Sequence, residues 1–147
     1  MAVLQDHPYG NAQYIVNIPG FPQAQAFDEV LLPELLVDAE EIREGSDRSR
    51  SSRKIPGLLR YTNLVLRRGF VGSLDLYNWW KVTAEGNANA RQNVTINLLS
   101  EDSTNVAVTW KLTGAFPVRY TFSPLNGLDG SPLIETLEAC CDSVAME

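Results

Sequence analysis

Residues able to do acid–base, nucleophilic or metal chemistry are sparse in this sequence of 147 residues. His7 is its one histidine, which leaves no histidine-dependent catalytic triad. Cys140 and Cys141 are its two cysteines, and without a second histidine they do not complete a zinc site of the usual composition. Neighbours on an extended strand point to opposite faces, so a disulfide between them is disfavoured and a reducing compartment is the simpler interpretation. We therefore predict no catalytic residue and no metal site.

The remaining short motifs are better explained by structure than by chemistry. The acid pairs Glu40–Glu41 and Glu101–Asp102 are typical of solvated surface rather than of a tuned acid–base pair. GFVG, residues 69 to 72, lacks the longer glycine-rich pattern of a phosphate-binding loop and is most simply a tight turn. Asn93–Thr95 fits a glycosylation sequon, but the sequence predicts no secretion signal and no transmembrane helix. We expect no cofactor and no enzymatic activity.

The other notable feature is the charge of residues 43 to 57, REGSDRSRSSRKIPG. Residues 43 to 68 contain eight Lys or Arg and two acids, a net charge of +6, which leaves −12 for the rest of the chain. This segment is therefore electrostatically complementary to the remainder of its own molecule, and equally to another copy. Its charged candidates for contact are Arg43, Glu44, Arg48, Arg50, Arg53 and Lys54.

Composition leaves three interpretations of this basic segment open. A solvated loop would need no function. A nucleic-acid contact would use the arginines on phosphates, but no interleaved aromatic residues are available for stacking and most of the chain would repel the ligand. An assembly element would place the cations against acidic surface of a neighbouring copy, which gives orientation and register more than affinity.

The elements that must carry these residues are mostly strands. Alternation predicts strands over Tyr14–Ile18 and Tyr61–Arg67, with a turn at Pro56–Gly57 after the basic segment. The apolar run Val30–Val37 is ambiguous, and Pro33 argues against a central strand there.

One helix is predicted in mid-chain, from a cap at Ser73 to about Glu85, with a stop at Gly86–Asn87. It carries Trp79 and Trp80 on a mostly apolar stripe, which favours a role in sealing the core.

The second half predicts a one-sided antiparallel sheet. Val94–Leu98 and Val106–Leu112 form a hairpin, Phe116–Phe122 is a third strand, and a last strand covers about Leu133–Cys141. We predict a mainly β fold, a small antiparallel β-barrel or sandwich of six or seven strands with one flanking α-helix. Residues 1–147 form a single domain, with a mobile N-terminus (about 1–12) and an extended basic loop (about 43–57).

Ordered motifs along residues 9 to 142 carry a family resemblance. They are YIVNIPG, FDEVLLPELLVDAEEIREG, KIPG, YTNLVLRRG, DLYNWW, RQNVTINLL, VTWKLTGAFPVRY and IETLEACCD. In this order the sequence resembles the inner-tube proteins of contractile phage tails and related bacterial injection systems.

The resemblance implies a tail-tube-like fold that assembles as a hexameric ring, with rings stacked into a hollow tube inside a contractile sheath. It also implies that the tube conducts DNA or protein cargo and meets a sheath protein, a baseplate or initiator, and a tail-terminator or cap protein. Assembly would occur in the bacterial cytoplasm, and the product would be part of a virion or of a released phage tail-like particle. The segment at residues 43 to 57 would be an extended loop that reaches neighbouring subunits or rings.

The polar strand faces suit a wet lumen wall in such a tube, and the lumen-facing candidates are Thr95, Asn97, Thr109 and Lys111. Two alternatives stay open. The chain could be a tube initiator or baseplate-proximal ring of the same particle, or a nucleic-acid-binding module that uses the basic loop.

Overall fold

The computed structural model describes residues 2–22, 26–46, 48 and 51–147. These residues form nine strands, one α-helix and one 3-10 turn. The elements are β1 Tyr14–Asn17, β2 Glu29–Leu31, β3 Leu35–Ile42, β4 Arg53–Tyr61, β5 Leu64–Gly69, α1 Asp75–Ala84, the 3-10 turn Ala88–Ala90, β6 Gln92–Leu99, β7 Val106–Phe122, β8 Ile134–Cys140 and β9 Ser143–Met146.

The main sheet is antiparallel throughout, in the order β1-β6-β7-β8-β5-β2, with β9 also paired to β7. Strand β7 is 17 residues long and belongs to both halves of this sheet. Its residues up to Ala115 pair with β6, and from Phe116 onward it pairs with β8. Gly114 lies at the junction with φ of 66°, a conformation that costs a side-chain-bearing residue energy. The glycine therefore lets one strand bend from one half-sheet into the other.

The apolar faces of the two halves enclose the core. Across β1, β6 and β7 the register aligns Val16 with Ile96 and Ile96 with Trp110, so these side chains share the inner face. Leu66 and Leu137 are paired across β5 and β8 and are fully buried. Burial of such side chains contributes roughly 1.5–3 kcal/mol each.

Helix α1 closes one side of this core through its buried Leu76 and Trp79. The Trp79 indole Nε1 donates to the Ala90 carbonyl at 2.6 Å, which satisfies the one polar group of that buried ring. Trp80 is 37% exposed, so only one of the two tryptophans seals the core. The predicted cap at Ser73 is wrong by one residue, because Leu74 is the N-cap and forms no side-chain capping hydrogen bond.

A buried ion pair joins β5 to β8 within this half-sheet. The Arg68 guanidinium contacts the Glu135 carboxylate, and both side chains are almost fully excluded from solvent. The Tyr120 hydroxyl donates to the second Glu135 oxygen at 2.5 Å. Burial, and then this bond to Glu135, raises the pKa of Tyr120. A buried carboxylate held by two partners in this way meets the requirement that buried charges be paired and hydrogen-bonded.

The fold class predicted from the sequence is confirmed: the protein is mainly β, antiparallel, with one α-helix. Besides the helix cap, three details are wrong. Pro56–Gly57 lies inside β4 rather than in a turn, so the basic loop ends before Arg53. The strands predicted at Val106–Leu112 and Phe116–Phe122 are a single strand, β7. Strand β9 was not predicted, and the count is above the six or seven expected.

The N-terminal segment lies against the main sheet. The Val3 amide donates to the Ala107 carbonyl at 3.0 Å, and His7 Nε2 lies 2.7 Å from a Glu101 oxygen. These contacts do not test the mobility predicted for residues 1–12, which stays a prediction.

Candidate functional site

Strands β3 and β4 form a hairpin that is separate from the main sheet. Their register runs from Leu35 opposite Tyr61 at the base to Ile42 opposite Arg53 at the far end. The base is fixed by hydrogen bonds between Glu34 and Thr62, from the Glu34 amide to Thr62 Oγ1 at 2.6 Å and from the Thr62 amide to the Glu34 carbonyl at 3.2 Å. At roughly 3.3 Å per residue, the ladder from Leu35 to Ile42 is about 23 Å long. The hairpin is therefore an arm that projects from the body of the subunit.

A shift in register within the arm explains why Pro56–Gly57 is compatible with a strand. The ladder is irregular between Val37 and Ala39, where β4 carries one extra residue. A Cβ on Gly57 would lie 2.9 Å from Glu40 Cγ and 3.0 Å from the Asp38 carbonyl oxygen, so the close approach of the two strands favours a glycine. Proline is tolerated on such a two-stranded arm because each strand is an edge.

Both faces of this arm expose large apolar side chains. On one face Val37 and Leu59 are 54% and 65% exposed. On the other face Leu58 is 70% exposed, and Arg60 pairs with Asp38 at 2.9 Å. A two-stranded hairpin alone is marginally stable in water, and contiguous exposed apolar surface marks an interaction site. The arm has the properties of a segment that other protein surfaces cover.

The charged residues predicted for contact lie on this arm and its connecting loop. Arg53 and Lys54 begin β4, are exposed, and form no ion pair with the described part of the chain. Arg43, Glu44 and Arg48 lie in the loop and are exposed. Arg50 lies outside the described residues.

The four polar residues predicted to face a lumen do share one face of the main sheet. The register pairs Thr95 with Lys111 and Asn97 with Thr109, on the face opposite the core. The Thr109 hydroxyl donates to Asn97 Oδ1 at 2.9 Å, and Lys111 Nζ lies 3.0 Å from a Glu147 oxygen. These four residues form a polar patch on that face, in which Thr109 and Asn97 bond to each other and the exposed Ile15 lies opposite Asn97 at the edge.

An open cavity of about 330 Å³, which we call the notch, lies between the edge strands β1 and β2. Its apolar wall is formed by Val30, Leu32, Ile96, Leu98 and Trp110, and its acidic rim by Asp28 and Glu29. The Tyr14 hydroxyl crosses it and donates to the Phe27 carbonyl at 2.6 Å. Burial and then the nearby Asp28 and Glu29 carboxylates raise the pKa of Tyr14. Sequence reasoning missed the notch, although the acid pair Asp28–Glu29 beside an apolar run was visible.

The described residues lack the grouping of side chains that a metal site requires. No three of their His, Cys, Asp and Glu side chains are grouped as metal ligands. Cys140 and Cys141 are both free, and burial raises the pKa of each thiol, which lowers the fraction of reactive thiolate. None of the described helices has the length and apolar character needed to cross a bilayer.

The protein has a mainly β body, an arm with exposed apolar side chains on both faces, and a polar patch on the sheet face opposite the core. These features indicate a structural protein whose arm contacts other protein surfaces. Residues 10–144 match the family described as T4-like virus tail tube protein gp19. The chain belongs to this family, and it is a tail tube protein, a structural subunit of a tube. A comparison with curated protein sequences gave no match.

Solved structures with the same fold come from related assemblies. A chain in the cryo-EM structure of the anti-feeding prophage (AFP) baseplate is 24% identical, with 97% of each chain covered and a TM-score of 0.80. A chain in the extended-state sheath–tube complex of an extracellular contractile injection system, PVC, is also 24% identical, with 97% of this chain and 93% of that chain covered and a TM-score of 0.80. Hcp1 from Flavobacterium johnsoniae is more distant, at 19% identity, 90% and 93% coverage and a TM-score of 0.54.

Proposed function

We propose that the chain forms hexameric rings that stack into a hollow tube inside a contractile sheath, as a passive conduit for DNA or protein cargo and without catalysis. The observation that carries this proposal is the arm β3–β4, whose two apolar faces are exposed in the free subunit. Surfaces of other protein molecules are needed to cover both faces of the arm. In a closed ring, identical copies supply such surfaces in the same geometry at every contact.

The distribution of charge supports contact between copies. Strand β4 and the connecting loop lie in the +6 segment, whereas β3 carries Asp38, Glu40 and Glu41 and belongs to the −12 remainder. The basic loop and β4 of one copy therefore favour association with the acidic body of the next. Arg43, Glu44, Arg48, Arg50, Arg53 and Lys54 are the contact residues in this proposal. Thr95, Asn97, Thr109 and Lys111 would line the lumen.

The proposed partners follow from the related assemblies. The PVC structure is a sheath–tube complex, the AFP structure is a baseplate, and a further similar chain comes from a tube-terminating cap. By analogy the tube of this chain would lie within a sheath, start at a baseplate or initiator and end at a terminator or cap. It would be assembled in the bacterial cytoplasm and become part of a virion or of a released tail-like particle.

Electron microscopy of the purified chain tests the proposal. We expect rings or hollow tubes with six-fold symmetry, and a protein that stays strictly monomeric at high concentration would contradict it. Substitution of Arg48, Arg50 and Arg53 by glutamate should block the assembly of stacked rings and leave the fold intact by circular dichroism. The matched variant with lysine at these three positions keeps the charge and should still assemble. Normal tubes from the glutamate variant would remove the loop from the mechanism.

A further inference from the structure

The far end of the arm presents one face that combines apolar and cationic groups. Because Glu40 pairs with Ile55 and Ile42 with Arg53, the side chains of Ile42, Arg53 and Ile55 share this face. Ile42 and Ile55 are 45% and 40% exposed. The far end of this face therefore offers two branched aliphatic side chains beside one guanidinium group, and the Glu40 carboxylate lies opposite Ile55, on the side nearer the base of the arm.

The notch between β1 and β2 offers the complementary chemistry. Its wall is aliphatic and aromatic, and its described lining contains two carboxylates and no Lys or Arg. Asp28 Oδ2 accepts the Gly69 amide at 2.9 Å and Glu29 Oε1 lies 3.2 Å from Arg67, so each acid is held in place and retains a second oxygen. Fixed carboxylates at the rim of an apolar pocket suit a cation on a short apolar stem.

An arm cannot occupy the notch of its own subunit. Leu32, in the notch wall, lies three residues before the first residue of β3, so the notch is at the base of the arm. The seven-step ladder between Leu35 and Ile42 holds the far end about 23 Å from that base. An arm that enters the notch must therefore come from another molecule, and a second copy carries the matching face.

We propose that Ile42, Arg53 and Ile55 of one copy dock into the notch of the next copy, with Arg53 against Asp28 and Glu29. The contact joins different surfaces of two identical chains, so it repeats head to tail and closes into a ring when the rotation allows. This inference rests on the proposed function and adds the receiving surface within the ring.

A charge exchange tests the pairing directly. Glu29→Arg and Arg53→Glu should each raise the protein concentration needed for ring formation by about tenfold or more, and the double variant should restore it toward the wild-type value. Glu85→Arg makes the same charge change at an exposed site on the far end of α1 and should assemble normally. Ring formation is followed by sedimentation velocity and electron microscopy. If the wild-type chain forms rings and the double variant does not recover ring formation, the docking is overturned and the proposed function still holds.

Cross-linking provides a second measurement that does not depend on loss of assembly. Ile55→Cys together with Leu32→Cys should form intermolecular disulfides in assembled rings, giving a ladder of covalent oligomers up to six chains. Ile55→Cys with Leu128→Cys, at a fully exposed loop position, is the matched control and should not. If the two cysteine pairs give equal ladders of covalent oligomers, the docking is overturned. The docking is also overturned if a variant with a substituted notch residue still forms rings and loses only its contact with a sheath or cap protein. A wild-type chain that forms no rings under any condition refutes the proposed function itself.

Discussion

The buried contact between Arg68 and Glu135 gives the sharpest prediction about stability. Glu135→Gln keeps the shape of the side chain and removes its charge. Arg68 is 5% exposed, so the guanidinium is left without its carboxylate partner in a site that water barely reaches. Breaking a buried pair by removing one partner costs about 3–5 kcal/mol of the free energy of unfolding. That is a large part of the 5–15 kcal/mol typical of a native protein, and more than about a hundredfold in the unfolding constant.

The neighbouring arginine on the same strand provides the control. Arg67 pairs with Glu29 at 3.2 Å, but the two side chains are 44% and 50% exposed. Glu29→Gln removes the same charge and should cost about 0–1 kcal/mol, because water screens an exposed pair. Tyr120→Phe removes only the hydroxyl that donates to Glu135 and should fall between the two, at about 1.5–3 kcal/mol.

The assay is urea unfolding of each variant at concentrations where the chain is monomeric, followed by the fluorescence of the core tryptophans. The slope of the unfolding free energy against urea concentration should stay constant across the series. Differences in the midpoint then report differences in stability. Equal losses for Glu135→Gln and Glu29→Gln, or a loss below about 1 kcal/mol for Glu135→Gln, would refute the argument from burial.

Three further predictions follow from single features. Gly114→Ala should lower the free energy of unfolding by about 1–2 kcal/mol or more, because the positive φ is strained for alanine and the new Cβ would collide with Asp142; a thermal melt with unchanged stability would contradict this. Hydrogen bonds from Ser100 and Thr104 lower the pKa of Asp102 to about 2. Their stabilisation of the β6–β7 turn is therefore complete above the usual aspartate pKa and is lost as the pH falls through about 2. An NMR titration of Asp102 should give this low pKa, and Ser100→Ala should raise it. Thr109→Cys in assembled tubes should react with a small thiol reagent and be protected from one too large for the lumen, whereas reaction with neither would place Thr109 away from the lumen wall.

The sequence predicted elements whose periodicity is set by burial on one side. The β6–β7 hairpin and helix α1 were correct because Val94, Ile96, Leu76 and Trp79 are core residues at the matching period. Strand β4 was missed because the arm is exposed on both faces, so burial imposes no alternation on it. The bend at Gly114 was interpreted as a break because local sequence does not show that both sides of one strand will find partners.

The candidate site was predictable to a similar extent. Alternation alone placed Thr95, Asn97, Thr109 and Lys111 on one face. The basic segment was recognisable by charge, but its extension into a projecting two-stranded arm was not. The notch could not be predicted, because it lies between edge strands that pair with different halves of the sheet and are set together only by tertiary packing.

The strand β7 gives the subunit a mechanical property. Its continuous backbone is hydrogen-bonded to β6 in one half-sheet and to β8 in the other, with β9 alongside the bend. A load applied to either half therefore passes to the other along covalent bonds rather than through side-chain contacts alone. The two halves cannot slide past each other without breaking several ladders at once, so the subunit resists shear between its two half-sheets.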